Sequence, residues 1–336
     1  MNTSRLPVLS VEGLAVQYST RVPGRRKKVL AKAVDNIDLH IEAGETLALV
    51  GESGSGKTSI ARAIMRLVDT SSGRILFNGS DLVPLRGAAL RKARPGFQMI
   101  FQDPFESLDP RRTVLDTVLE SLIVSKIGKT SDERRRLALE ALERVGLTPA
   151  ERIGQRFTNQ LSGGQRQRVA LASAMVLQPS LLIADEPVSM LDVSLRAGIL
   201  RLMLDLRNRF GIAYLFITHD LSLAWSFADR IVVVYLGRVV EEGPSAELIA
   251  APRHPYTQAL VSVIPVPETG ATANRTVLTG EIPNPTNIPT GCRFHPRCPL
   301  YREMGEPSQC RTEDPQLEAT GTHRTACHFH GQETGK

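Results

Sequence analysis

Short, wholly apolar runs recur along the first three quarters of the chain. Thr46-Leu-Ala-Leu-Val50 leads into a glycine-rich loop, and similar runs follow at Leu181-Leu-Ile-Ala184, Tyr214-Leu-Phe-Ile217 and Ile231-Val-Val-Val234. Runs this short, without polar alternation, predict strands buried on both faces. Between them the period becomes helical. Ser59-Ile-Ala-Arg-Ala-Ile-Met-Arg66 follows the glycine loop, and Thr130-Ser-Asp-Glu133 is a capping box that opens a helix to about Val145, stopped at Gly146. A third helix is expected from Ser194 to Phe210, where Leu, Ile and Met alternate with Arg before Gly211. Alternation of buried strands and helices predicts an α/β domain with a largely parallel sheet.

Beyond residue 252 the pattern stops. Pro252, Pro255, Pro265, Pro267, Pro283, Pro285, Pro289, Pro296 and Pro299 crowd the chain and helical periodicity is lost. We therefore expect two domains, 1–251 and 252–336, the second small and irregular. A length of 336 residues fits that division. With 42% hydrophobic and 23% charged residues the chain has a globular balance. No apolar run approaches the ~18 residues that span a bilayer, and Met1 to Gly13 shows no secretory pattern, so a cytoplasmic location is expected. The net charge of +6 permits an anionic partner without choosing one. The basic run Arg25-Arg-Lys-Lys28 is read as a solvated hairpin tip, with lipid headgroups or another subunit as alternative contacts.

The chemistry begins at Gly51-Glu-Ser-Gly-Ser-Gly-Lys-Thr58, which satisfies G-x-x-x-x-G-K-[ST] between a predicted strand and a predicted helix. Gly51, Ser53, Gly54, Ser55 and Gly56 would turn backbone N–H groups inward around phosphate, and the following helix, from Lys57 through Ser59, would add its positive end. Lys57 would reach the β- and γ-phosphates of a nucleoside triphosphate, and the Thr58 hydroxyl would ligate Mg²⁺. Hydrolysis further needs a carboxylate on the metal side and a group that orients water. Asp185 and Glu186, at the end of an apolar run, supply both: Asp185 for Mg²⁺, Glu186 as general base or close to it.

Leu161-Ser-Gly-Gly-Gln165, followed by Arg166-Gln-Arg-Val169, resembles the signature motif of ATP-binding-cassette (ABC) ATPases. The family's other marks occur in order: Gln102 of a Q-loop, Ser189-Met-Leu-Asp192 as a D-loop, His219 as a switch histidine, and Tyr18 where an aromatic stacks on adenine. The resemblance covers roughly residues 8 to 250 and departs at Met190, where most relatives carry alanine. It implies the P-loop ABC fold: a RecA-like core, a β-subdomain and a helical subdomain. It also implies that Gln102 joins the Mg²⁺ site, that His219 bonds the γ-phosphate, and that cassettes pair head to tail. In that pair Ser162, Gly163, Gly164, Gln165 and Asp192 of one cassette close over ATP held by the other. Small residues at a helix start suit this task, since they offer donors and a positive dipole without bulk.

The tail is similar to the C-terminal extension of dipeptide/oligopeptide importer ATPases, through His254-Pro-Tyr-Thr-Gln-Ala-Leu260, Leu278-Thr-Gly-Glu-Ile-Pro283 and Gly291-Cys-Arg-Phe-His-Pro-Arg-Cys-Pro299. Gln98 to Pro104 and Ser107 to Arg111 match the same subfamily, and the basic loop before Val34 resembles the second of its two ATPases. The likeness implies a peptide importer, with oligosaccharide, opine or nickel as alternative cargoes. Its partners would be two transmembrane permease subunits, a homologous second ATPase and an extracytoplasmic substrate-binding protein, with the chain on the cytoplasmic face of the membrane. A soluble ATPase acting on ribosomes or nucleic acid is the competing class; the importer reading expects no nucleic acid.

Cys292, Cys298, Cys310 and Cys327 are the only cysteines, separated by five, eleven and sixteen residues. A reducing compartment disfavours disulfides, and a core-poor segment with four thiols suggests a metal staple. Zinc usually takes paired C-x2-4-C knuckles, absent here, whereas an iron–sulfur cube tolerates wider spacing. The family resemblance implies a [4Fe–4S] cluster, with Zn²⁺ or free thiols as the other readings. His295, His323, His328 and His330 nearby are expected to be surface residues.

Overall fold

A computed structural model describes residues 6–20, 28–103, 108–264 and 278–330. Arg25 to Lys27, Pro104, Ser107, Pro265 and Pro267 lie outside those residues. The strands in chain order are β1 (Leu9–Thr20), β2 (Val29–Ile41), β3 (Thr46–Val50), β4 (Ser72–Phe77), β5 (Ser80–Asp81) and β6 (Phe97–Ile100). They continue with β7 (Leu181–Asp185), β8 (Ala213–Thr218), β9 (Arg230–Tyr235), β10 (Arg238–Pro244), β11 (Glu318–Thr320) and β12 (His323–Thr325). All four apolar runs are strands, and β3 and β7 are buried at every position. Removing one such Leu, Ile or Val side chain from water stabilises the fold by about 1.5–3 kcal/mol.

Two compact units interleave along the sequence. One comprises described residues within Met1–Ser10, His40–Glu45 and Leu76–Ile217. Here β6, β7 and β8 run parallel, in register from Phe97↔Leu181 to Asp185↔Ile217. The helices Val114–Ser125, Ser131–Arg144, Ala150–Gly154 and Gly163–Met175 pack on one another. The expected Thr130 cap forms, its hydroxyl accepting from the Glu133 N–H at 3.1 Å. The reciprocal half of the box is displaced by one residue, because the Glu133 carboxylate takes the Lys129 N–H instead. Val193–Phe210 ends, as its glycine predicts, at Gly211 in the left-handed region.

The other unit comprises described residues within Val11–Leu39, Thr46–Ile75 and Thr218–Lys336. Its sheet runs β11-β12-β10-β9-β3, parallel between β3 and β9 and antiparallel elsewhere. The tail is therefore less irregular than its prolines suggest. Pro255–Ser262 is a helix with proline in its first turn, where no N–H is missed, and His254 caps it by accepting the Tyr256 N–H. β12 pairs with β10, so the C-terminal region extends the same sheet that carries β3.

Glu241 of β10, wholly buried, locks this junction. Its carboxylate accepts the Arg253 N–H at 2.6 Å and the His254 N–H at 3.0 Å, and pairs with His323 Nε2 at 2.6 Å. Burial alone would raise this carboxyl, but the His323 hydrogen bond and the Arg253 amide carry it below its ordinary value. Burial also pushes the His254 ring down to about 4, so it is neutral and free to accept as a cap. His323 is thus a buried partner, contrary to the surface role expected from sequence.

Candidate functional site

The candidate residues fall into two groups, one in each unit. In the β3-bearing unit, the loop from Gly51 to Gly56 leaves the strand and delivers the chain into helix Lys57–Ile64. Two glycines are required there for different reasons. A Cβ on Gly51 would sit 2.2 Å from the Val234 carbonyl oxygen, so close backbone approach demands glycine. Gly56 adopts φ 106°, and its Cβ would lie 2.3 Å from the Ala33 carbonyl oxygen. Gly54 also has positive φ, and the Ser55 N–H donates to the Glu52 carbonyl at 3.2 Å.

Lys57 is buried, and its ammonium donates to the Gly51 and Glu52 carbonyls at 2.7 and 2.9 Å. Thr58 and Ser59 stand in the first helical turn, and the Ser59 hydroxyl accepts from the Tyr18 hydroxyl at 3.3 Å. The Tyr18 ring is partly exposed beside that turn, a placement that suits stacking on a base. His219 is exposed directly after β8, and Asp220 beside it caps the next helix.

The other unit carries Gln102, Asp185, Glu186, the Leu161–Gln165 motif and Asp192. Asp185 is buried at the end of β7. Glu186 follows with φ 46°, a left-handed conformation uncommon outside glycine and a form of strain that gathers at functional sites. Its N–H donates to the Ile217 carbonyl at 2.9 Å, and its carboxylate accepts from Gln102 Nε2 at 3.1 Å. Gln102 and Glu186, 84 residues apart, therefore form one hydrogen-bonded pair. That pairing gives the two residues a joint geometry that spacing alone does not contain.

Ser162 caps helix Gly163–Met175 with a full capping box: its hydroxyl takes the Gln165 N–H, and the Gln165 side chain takes the Ser162 N–H. The motif's final glutamine is thus a structural clamp on the helix start, a role the sequence reading missed although Ser-x-x-Gln announces it. Gly164 packs against Leu195, whose methyl would lie 3.2 Å from an added Cβ. Asp192 caps helix Val193–Phe210. The Leu195 N–H, then the Ser194 hydroxyl, hold its carboxyl below the ordinary value. Met190 and Val193 flank it, both well exposed.

Cys292, Cys298, Cys310 and Cys327 are free thiols in the β3-bearing unit. The Cys292 N–H donates to the Cys310 carbonyl at 2.9 Å. Burial pushes the Cys292 thiol up to about 12 and Cys298 to about 11, and the neighbouring cysteines act in the same direction. Cys310 and Cys327 are raised as well, chiefly by burial. Among the described residues, however, no group of three or more His, Cys, Asp or Glu side chains is placed to hold a metal ion. The described thiols therefore do not form a coordination shell for the expected cluster.

Two residues of the C-terminal motifs meet the loop, a role the motifs themselves do not announce. Arg297 makes a bidentate ion pair with Glu52 at 2.7 and 3.2 Å, and the Tyr256 hydroxyl accepts the Glu52 N–H at 2.9 Å. No local signal could have revealed contacts between positions over 200 apart in the chain.

Comparison with known proteins agrees with these motifs. The ABC transporter family model matches residues 34–189, and that of the oligopeptide/dipeptide transporter C-terminal region matches 240–304. The chain is 44% identical to the oligopeptide transport ATP-binding protein AppF of Bacillus subtilis, over 91% of this chain and 92% of that one. It is 41% identical to the di/tripeptide transport ATP-binding protein DppF of Pseudomonas aeruginosa, over 98% and 99%. Among solved structures it is similar to cbiO1 of Clostridium perfringens, part of the ABC transporter complex cbiONQ. That match has a TM-score of 0.63 at 30% identity, over 73% of this chain and 91% of that one. The ADP- and phosphate-bound cassette MJ0796 matches with a TM-score of 0.61 at 29% identity, over 70% and 98%.

Proposed function

Because the chain belongs to the ABC transporter ATPases, with an oligopeptide/dipeptide-transporter C-terminal region, we propose that it hydrolyses ATP to drive import of short peptides. The observation that carries the cargo is the match of the C-terminal region together with full-length relatives named for peptide transport. Residues 1–251 form the ATPase part in this reading and 252–336 the importer-type extension. The chain works on the inner membrane face, paired with a homologous ATPase on two permease subunits and fed by a substrate-binding protein. No helix among the described residues is long and apolar enough to cross a membrane.

In this mechanism the Gly51–Gly56 loop and the helix start bind the triphosphate, with Lys57 exchanging its loop carbonyls for phosphate oxygens. Tyr18 packs on the base. Thr58, Asp185 and Gln102 would hold Mg²⁺, which would supply charge neutralisation to the triphosphate. Glu186 orients the attacking water and receives its proton, and His219 donates to the γ-phosphate. Ser162, Gly163, Gly164 and Gln165 of a second cassette, beside its Asp192, complete the donor shell, because charge must be met on every side of the transferring group.

The test is reconstitution with the permease subunits in proteoliposomes. ATP turnover should rise when a peptide-loaded binding protein is added, and labelled peptide should accumulate inside. Uptake of oligosaccharide but no peptide would reassign the cargo. Co-purification with RNA or DNA, and indifference to membrane partners, would sink the importer reading.

Cys292, Cys298, Cys310 and Cys327 are the proposed cluster ligands, in a structural role outside the hydrolytic steps. Two buried and two half-buried thiols, with Cys292 and Cys298 feeling the charge of neighbouring cysteines, support a cationic occupant. Anaerobic purification should yield iron and acid-labile sulfide in comparable amounts. Zinc without sulfide would replace the cluster, and neither would leave four plain thiols.

A further inference from the structure

Glu52 is an awkward residue for an anion-binding loop. It is the second position of the phosphate loop, and its carboxylate carries the same sign as the ligand. The structure holds that carboxylate in a fork–fork pair with Arg297, whose side chain is 7% exposed against 27% for Glu52. Arg297 is itself fixed from several sides. Its N–H donates to the Phe294 carbonyl, and its guanidinium lies 5.9 Å from the Tyr235 ring centroid. Tyr235, Tyr256 and Phe294 form an aromatic group with centroids 4.9 to 5.4 Å apart. Tyr256 in turn takes the Glu52 N–H. Both the charge and the backbone of one phosphate-loop residue are thus held by the C-terminal region.

We infer that Arg297 is a positioning residue for ATP binding: it neutralises Glu52 and, with Tyr256, turns that residue away from the phosphates. The C-terminal region thereby becomes part of the nucleotide site rather than an appendage to it. Without Arg297 the Glu52 carboxylate stands uncompensated in a loop that must receive a polyanion, and it is free to swing toward the phosphates. The inference rests on the proposed reading of the Gly51–Thr58 loop as the triphosphate site.

The experiment compares the full chain with its Arg297→Ala, Arg297→Lys and Glu52→Gln variants and the Arg297→Ala/Glu52→Gln double variant. Each is assayed for KM and kcat with MgATP and for equilibrium ATP binding. Arg297→Ala should raise KM about tenfold, with much less change in kcat, and Arg297→Lys should fall between it and the natural chain. The double variant should return to within about twofold of the natural KM, because removing the carboxylate removes the repulsion that Arg297 cancels. A purely structural loss would not be rescued that way. If Arg297→Ala does not fold, Arg297→Lys with and without Glu52→Gln makes the same comparison. A natural KM in folded Arg297→Ala, or a defect that Glu52→Gln leaves unmoved, would overturn the inference. Lys57→Ala separates the two levels: normal ATP binding in that variant would remove the loop reading itself.

Discussion

Replacing Glu186 with Gln should lower ATP turnover by at least about a hundredfold while leaving ATP binding intact. The amide keeps a carbonyl oxygen that can accept the Gln102 hydrogen bond, so the pair seen at 3.1 Å survives. The Glu186 N–H bond to Ile217 and the left-handed backbone depend on the main chain and are also preserved. What disappears is a basic oxygen that can take a proton from water. Binding by fluorescent ATP analogue and turnover by phosphate release separate the two effects. Full hydrolysis in this variant would remove Glu186 from its proposed role. Equal loss of binding and turnover would make it a structural residue.

Gly56→Ala should destabilise the chain by at least about 3 kcal/mol and abolish nucleotide binding in whatever folds. Two costs act at one atom. At φ 106° an L side chain is strained wherever it points, and here the new Cβ would meet the Ala33 carbonyl oxygen at 2.3 Å. Backbone is the obstacle, so no side-chain rotation relieves it. The loop would have to move away from β2, and the first turn of helix Lys57–Ile64 would move with it. Gly54→Ala is the informative companion. It shares a positive φ but has nothing within 4 Å of its Cβ, so it should cost only the conformational part, about 1 kcal/mol. Urea unfolding of both variants measures the difference, and equal losses would show that the Ala33 contact is not what requires glycine.

The sequence was most informative where chemistry depends on short spacing. Gly51 to Thr58, Asp185-Glu186 and Leu161 to Gln165 are each contiguous, because a phosphate cradle, a strand-end acid pair and a capped helix start are all built within one turn of chain. The apolar runs at β3, β7, β8 and β9 were legible for the same reason, since complete burial leaves no polar alternation. The proline-rich tail was read less well. Periodicity is lost when strands span three residues, as β11 and β12 do, and when a helix opens on proline and is capped by a histidine. His323 looked like a surface residue because nothing local marks its partner, the buried Glu241 of β10.

By itself, then, the sequence determined the family, the loop after β3, the acid pair and the apolar strands that carry them. Each of these follows from residues adjacent in the chain, where covalent geometry limits what can form. Only the tertiary structure decided that Gln102 pairs with Glu186, that the C-terminal region joins the β3 sheet through β12, and that Arg297 holds Glu52 across 245 positions. These contacts are specified by packing and by the cost of leaving a buried charge unpaired, and neither is written into local spacing.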